Sequence, residues 1–135
     1  MKQITPNFYV AEQLTPSHMT SLAEAGIRHL ICNRPDHEGE AQTDSAVLKA
    51  SAEQQGMTFD FLPTAPGQFD AELVKQFAAL MAGREGKTLA FCRTGTRSLS
   101  LWTLANPEHK SRDVLLSLAE HAGYNMSDLI DRVAQ

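Results

Sequence analysis

Cysteine is scarce in this chain: Cys32 and Cys92 are the only two among 135 residues. Two thiols do not make a disulfide scaffold, and no Cys/His spacing resembles a zinc site, so no metal is expected. Basic charge is not in excess either. Twelve Lys and Arg stand against sixteen Asp and Glu, a net charge of −4, with the signs scattered. A nucleic-acid or anionic-membrane surface needs a basic patch, so neither partner is expected. No apolar run reaches the ~18 residues of a membrane span. Met1-Lys2-Gln3-Ile4-Thr5-Pro6 has no apolar signal region, which makes the cytoplasm the expected setting. Repeats, linkers and low-complexity segments are absent, and no motif implies a cofactor. A chain this long buries a real core without staples, and one domain over residues 1–135 is expected.

What is present is an alternation of element types. Phe8-Tyr9-Val10-Ala11 is a β-prone run. Thr15-Pro16 marks a helix start, with Met19, Leu22 and Ala23 at helical spacing and Gly26 as the stop. Ile27 to Cys32 reads as a strand, followed by a polar loop from Asn33 to Glu40. Asp44 opens a second helix carrying Val47, Leu48 and Ala52, and Met57 to Leu62 is the next strand. After a turn-rich loop from Pro63 to Gln68, Asp70 caps an amphipathic run with Leu73, Val74, Phe77, Leu80 and Met81. Thr88 to Phe91 is a strand, and Leu99 to Ala105 a helix that is apolar nearly all round, with Trp102 expected in the core. Ser111 caps a further helix to Gly123, and Ser127-Asp128 begins a last one. This alternation predicts an α/β domain with a central, mainly parallel sheet of about four to five strands flanked by helices. Ligands of such sheets bind outside the carboxyl ends of the strands. Cys92, the loop after Cys32 and the loop after Leu62 all lie there.

The stretch with chemical content is Phe91-Cys92-Arg93-Thr94-Gly95-Thr96-Arg97-Ser98, between a strand and a helix. Unpaired N–H groups and the positive helix end favour a thiolate at such a place. Gly95 permits a positive φ, so successive N–H groups turn inward into an anion nest. Thr94, Thr96 and Ser98 supply hydroxyls, and Arg93 and Arg97 supply charge. Arg97 can fork onto two oxygens of a bound oxyanion. Catalysis is therefore expected from Cys92 and Arg97, with Arg93, Thr94, Gly95, Thr96, Ser98 and Arg34 binding substrate. Arg34 has a second reading, as the partner of a neighbouring acid.

Cys92 to Arg97 resembles the active loop of rhodanese-type sulfurtransferases, Cys-Arg-x-Gly-x-Arg/Thr, at every fixed position. The whole chain resembles the bacterial beta-lactamase hydrolase-like protein, phosphatase-like domain family, whose fold is similar to protein tyrosine phosphatases. Asn33-Arg34-Pro35-Asp36, Leu62-Pro63 with Gly67-Gln68-Phe69, and Cys92 to Ser98 with Leu101-Trp102 carry that resemblance. It implies a protein tyrosine phosphatase-like fold, and a persulfide-oxidising enzyme as a partner.

The loop departs from a tyrosine-phosphatase signature in two ways. Phe91 stands where histidine belongs, and four residues rather than five separate Cys92 from Arg97. A shorter loop is a tighter cradle, better suited to the outer sulfur of a persulfide than to a phosphoryl group. The leading expectation is a cysteine-dependent sulfurtransferase acting on a small anionic donor, thiosulfate or a low-molecular-weight persulfide. Cys92 takes the sulfane sulfur, and an acceptor thiol or cyanide removes it; no general acid is needed. The alternative is a phosphatase acting on a phosphate ester through a Cys92 phosphocysteine, with Asp36 the candidate general acid and Asp70 read as a cap. A third reading is a non-catalytic anion-binding or redox-sensing module. Cys32 reads as a buried small apolar residue or, more sharply, as a reversible disulfide partner for Cys92 if their strands are neighbours. His37, Glu38 and Glu40 form no second metal cluster and read as a solvated acidic loop. Gly83 to Thr88 ends like a nucleotide-binding loop, but Met81 replaces its first glycine and a strand follows, so it reads as a turn. The five scattered histidines, His18, His29, His37, His109 and His121, read as solvated or structural.

Overall fold

Alternation in the strands decides which helices cover which face. In the computed structural model, which describes residues 1–130, five strands form one sheet in the order β1-β2-β5-β3-β4. They are β1 (Lys2–Thr5), β2 (Phe8–Ala11), β3 (Ile27–Cys32), β4 (Thr58–Phe61) and β5 (Lys87–Phe91). Val10, Ile31 and Ala90 point to one face, against Phe77, Leu99, Leu101, Trp102, Leu115 and Ile130. Tyr9, Leu30, Cys32, Leu89 and Phe91 point to the other, against Met19, Leu22, Leu48 and Ala52. Helices α3 (Ala71–Met81), α4 (Thr96–Ala105), α5 (Arg112–His121) and α6 (Ser127–Ile130) therefore cover the first face. Helices α1 (Met19–Glu24) and α2 (Ser45–Gln54) cover the second.

The parallel α/β architecture is as expected from the sequence. β5 pairs in parallel with β2 on one side and β3 on the other, and β4 extends the sheet in parallel beyond β3. Buried on both faces, β5 needs no polar alternation, and Thr88 to Phe91 are all buried. Its central place is what brings the carboxyl ends of β2, β3 and β4 around Cys92.

Four local differences have physical causes. β1 is an antiparallel edge strand joined to β2 through Pro6-Asn7; with only Ile4 as a large apolar residue in four positions, it carries no periodic signal of its own. The helix begun at Pro16 is a 3-10 turn (Pro16–His18) that leads into the six residues of α1. Asp44 precedes α2 but makes no side-chain cap bond; Asp36 supplies it from a distance. Val47 is 49% exposed, and α2 instead buries Ser45, Leu48 and Ala52. The caps at Asp70 and Ser111 are present, accepting from the Leu73 N–H at 2.9 Å and the Val114 N–H at 3.4 Å. The last helix is described to Ile130; its expected continuation lies outside the described residues. None of the described helices is long and apolar enough to cross a membrane.

α4 is buried from Arg97 through Thr103, as its nearly all-apolar surface predicts. Trp102 is its anchor, 1% exposed, stacked on Phe8 with centroids 5.2 Å apart and planes 8° from parallel. Trp102→Ala is expected to cost about 3–5 kcal/mol, whereas Val114→Ala, at a 43% exposed position, is expected to stay within about 0.5 kcal/mol. Urea unfolding of both variants measures the contrast.

Candidate active site

The loop after β5 is built from backbone bonds. The Cys92 N–H donates to the Ala11 carbonyl at 3.3 Å and the Gln13 N–H to the Arg93 carbonyl at 3.4 Å, which ties the loop to the end of β2. Gly95 turns the chain with φ +92°, and its N–H donates to the Cys92 sulfur at 3.1 Å. α4 begins at the next residue, Thr96, so the sulfur lies at the helix's positive end. No side chain fits at Gly95, because a Cβ there would strike the Tyr124 hydroxyl. Tyr124 covers this side of the loop and donates its O–H to the Thr94 carbonyl at 2.9 Å. Burial pushes the Tyr124 hydroxyl pKa up, and the nearby Cys92 and Glu12 add to the shift. Cys92 is fully buried, whereas Arg93, Thr94 and Thr96 are exposed, with the two threonine hydroxyls 3.1 Å apart.

Ser98 differs from its expected place among the binding hydroxyls. It is fully buried, and its hydroxyl donates to Asn33 Oδ1 at 2.8 Å. It braces the helix rather than facing a ligand. Asn33, also fully buried, gathers three strand ends. Its N–H donates to the Phe91 carbonyl at 2.8 Å and its Nδ2 to the Leu62 carbonyl at 3.0 Å, while its own carbonyl accepts the Thr64 N–H at 2.9 Å.

Arg97 stands on the first turn of α4, 8% exposed. Its Nη1 donates to Glu38 Oε2 and to the Thr64 carbonyl, both at 2.9 Å, and its Nη2 donates to Glu38 Oε1 at 2.6 Å. Arg34 is drawn into the same cluster: its Nε reaches Glu38 Oε1 at 3.1 Å and its Nη1 reaches Gln13 Oε1 at 3.1 Å. Of its two readings, Arg34 takes the pairing one, bound to a neighbouring acid. The hydrogen bond from Arg97 holds the Glu38 carboxyl below the usual carboxylate range against a desolvation cost, and Arg34 adds to it. The reciprocal bond raises the Arg97 guanidinium above its ordinary value.

The solvated acidic loop expected at His37 to Glu40 is thus corrected at Glu38, whose side chain keeps only 24% of its exposure and bridges two arginines. Neither Glu38 nor Gln13 stands out by spacing. The available signal was Arg34 itself, which reads as seeking an acid, with Glu38 four residues on. Asp36 is not aimed at the cradle: its two oxygens accept the Ser45 N–H and the Ser45 hydroxyl, each at 2.7 Å, and so hold the start of α2. Among the described residues, no group of three or more His, Cys, Asp or Glu is arranged to hold a metal.

β3 and β5 are neighbours, with Cys32 paired in register to Phe91. Both thiols are nevertheless free and buried. Cys32 packs with Phe91, Phe59 and Leu48, and its S–H points to the Arg34 carbonyl at 3.5 Å. Burial pushes the Cys32 thiol up to about 12.

A buried cysteine at the carboxyl edge of a parallel sheet, with the next helix start behind it and an arginine on that helix, defines a tyrosine-phosphatase-like site. The chain belongs to the family described as beta-lactamase hydrolase-like protein, phosphatase-like domain, whose model matches residues 1–108. It is 30% identical over 102 residues to a beta-lactamase hydrolase-like protein of Agrobacterium fabrum, and 26% identical over 125 residues to one of Xylella fastidiosa. These matches take in 76% and 91% of this chain but 24% and 29% of the relatives, so it spans about a quarter of their length. A crystal structure of a candidate phosphatase from Neisseria meningitidis is 34% identical with a TM-score of 0.85, covering 98% of this chain and 94% of that one. Tk-PTP in its active form, 14% identical, superposes with a TM-score of 0.73 over 98% of this chain and 91% of its own. P. aeruginosa TpbA in complex with pTyr, 16% identical, gives 0.67 over 95% and 78%. The last two share the fold. The chain is thus a phosphatase-like enzyme by family, and the descriptions matched name phosphatases, not the sulfurtransferase expected first.

Two outcomes follow from this geometry. Gly95→Ala meets both the left-handed φ and the Tyr124 hydroxyl; adding Tyr124→Phe removes only the second obstacle. The single variant is expected to lose about 1–3 kcal/mol of stability, with partial recovery in the double variant on thermal melting. The protonated Cys32 thiol is expected to resist iodoacetamide at pH 8 in the folded protein and to react after unfolding in guanidinium, since the thiolate is the nucleophile; peptide mass spectrometry follows the adduct.

Proposed function

We propose that this domain hydrolyses phosphate monoesters through Cys92. The observation that carries the reading is the Cys92 sulfur receiving the Gly95 N–H at 3.1 Å, directly ahead of the α4 N-terminus and Arg97. Membership of a phosphatase-like family and the tyrosine-phosphatase fold support it.

In this reading the ester's phosphoryl oxygens take the loop N–H groups and Arg97, with Arg93, Thr94 and Thr96 at the exposed rim. The Cys92 sulfur attacks phosphorus and forms the S–P bond as the ester P–O bond breaks. The leaving oxygen takes a proton from solvent or departs as an anion. Water then attacks phosphorus, the S–P bond breaks, and inorganic phosphate leaves with Cys92 restored. Asp36 is bound to Ser45, and Glu38 is held charged between two arginines, so neither is a ready acid. Esters with a good leaving group, aryl phosphates above all, are the favoured substrates. This matches the pTyr bound by TpbA.

Sulfur transfer is the second reading, favoured by the four-residue spacing from Cys92 to Arg97. There Cys92 takes the sulfane sulfur of thiosulfate or a low-molecular-weight persulfide, and a persulfide-oxidising enzyme is the natural partner. A cytoplasmic setting suits either chemistry.

One paired assay separates them. Hydrolysis of p-nitrophenyl phosphate and sulfur transfer from thiosulfate to cyanide are measured with the natural protein and Cys92→Ser. Phosphatase turnover that falls by about 10³-fold or more in Cys92→Ser, without sulfur transfer, is the expected result. Cyanide-dependent turnover together with one added sulfur on Cys92 overturns it in favour of the second reading. Loss of both activities with an anion still bound leaves a binding module.

A further inference from the structure

We infer that Glu38 is a positioning residue: it grips the end of the Arg97 guanidinium so that the opposite, Nε–Nη2 edge is left to take the oxyanion. The inference rests on the anion-cradle reading above. A guanidinium has five N–H donors in a rigid plane. Both on Nη1 are taken, by Glu38 Oε2 and the Thr64 carbonyl, and one on Nη2 is taken by Glu38 Oε1. Nε–H and the second Nη2–H make no hydrogen bond to the described residues. They lie side by side on one edge, a spacing that suits two oxygens of a phosphate or sulfate-like anion.

Glu38 is therefore not a plug in the cradle. It occupies the terminal fork and leaves the lateral one. Freezing a long side chain costs entropy, and a group already held in place binds without that cost. The grip is itself held from behind. Arg34 Nε donates to the Glu38 oxygen that faces Arg97 Nη2, and Arg34 is fastened to Gln13. A carboxylate beside an anion site repels the anion, and Arg34 offsets that: two arginines around one glutamate leave the cluster cationic. Gly39 follows in the chain because Arg34 passes close by; a Cβ at Gly39 would come within 2.7 Å of Arg34 Nη2.

Binding of inorganic phosphate and of thiosulfate to Cys92→Ser protein, by titration calorimetry, tests this without turnover. Adding Glu38→Gln is expected to weaken whichever anion binds by about tenfold, with the melting temperature unchanged. Gly39→Ala, which shifts Arg34 without touching Glu38 or Arg97, is expected to weaken it by a smaller factor, and it decides the matter if Glu38→Gln melts early. Unchanged affinity in both variants means a merely structural ion pair, and tighter binding means a plug; either overturns the inference. If the Cys92→Ser protein binds neither anion, the cradle reading fails by itself. The Glu38 grip is then judged by the Arg97 Nη–H signals in nitrogen-15 NMR, which are expected to be resolved with Glu38 and averaged in Glu38→Gln. Averaged signals in both overturn it.

Discussion

One buried amide holds this site together. Asn33 leaves the end of β3 and binds the last carbonyl of β5, the chain beyond β4, and the first turn of α4 through Ser98. Each of these groups is buried, and an unpaired polar group there costs about 1–3 kcal/mol. The cysteine loop therefore cannot shift against its neighbours without breaking several bonds at once. A nucleophile loop needs this rigidity, since its N–H groups must already point inward when the anion arrives.

Around that fixed frame sits a ring of charge. Arg97 is placed by backbone, Glu38 answers it, and Arg34 and Gln13 steady Glu38. The ring is partly solvated, so its contribution to stability is small and salt-dependent. Its value lies in orientation. The same arrangement leaves no proton donor in reserve, because every carboxylate drawn to the loop is bound to something else. That restriction on leaving groups is the chemical signature that separates this site from one with a free acid.

The parallel sheet, the helix caps at Asp70 and Ser111 and the burial of Trp102 were legible in the sequence. Each depends on residues within one or two turns of each other, where spacing is informative. β1 was not, because a four-residue edge strand with one large apolar side chain shows no period. Asp36 was misread for a related reason. An aspartate in a loop looks the same whether it faces a substrate or caps a helix nine residues on. Ser98 was expected at the ligand because a hydroxyl after the arginine suits an anion site; the fold turned it toward Asn33.

The sequence by itself determined the nucleophile and its cradle, since Cys92, Gly95 and Arg97 are near neighbours and a strand-to-helix turn sets their relation. Only the tertiary structure decided what surrounds them. Glu38 meets Arg97 from 59 residues away, Asn33 meets Ser98 from 65, and Tyr124 meets Thr94 from 30. Those meetings follow from the insertion of β5 between β2 and β3. Strand order is set by burial summed over both faces of the sheet, and no local pattern of residues records it.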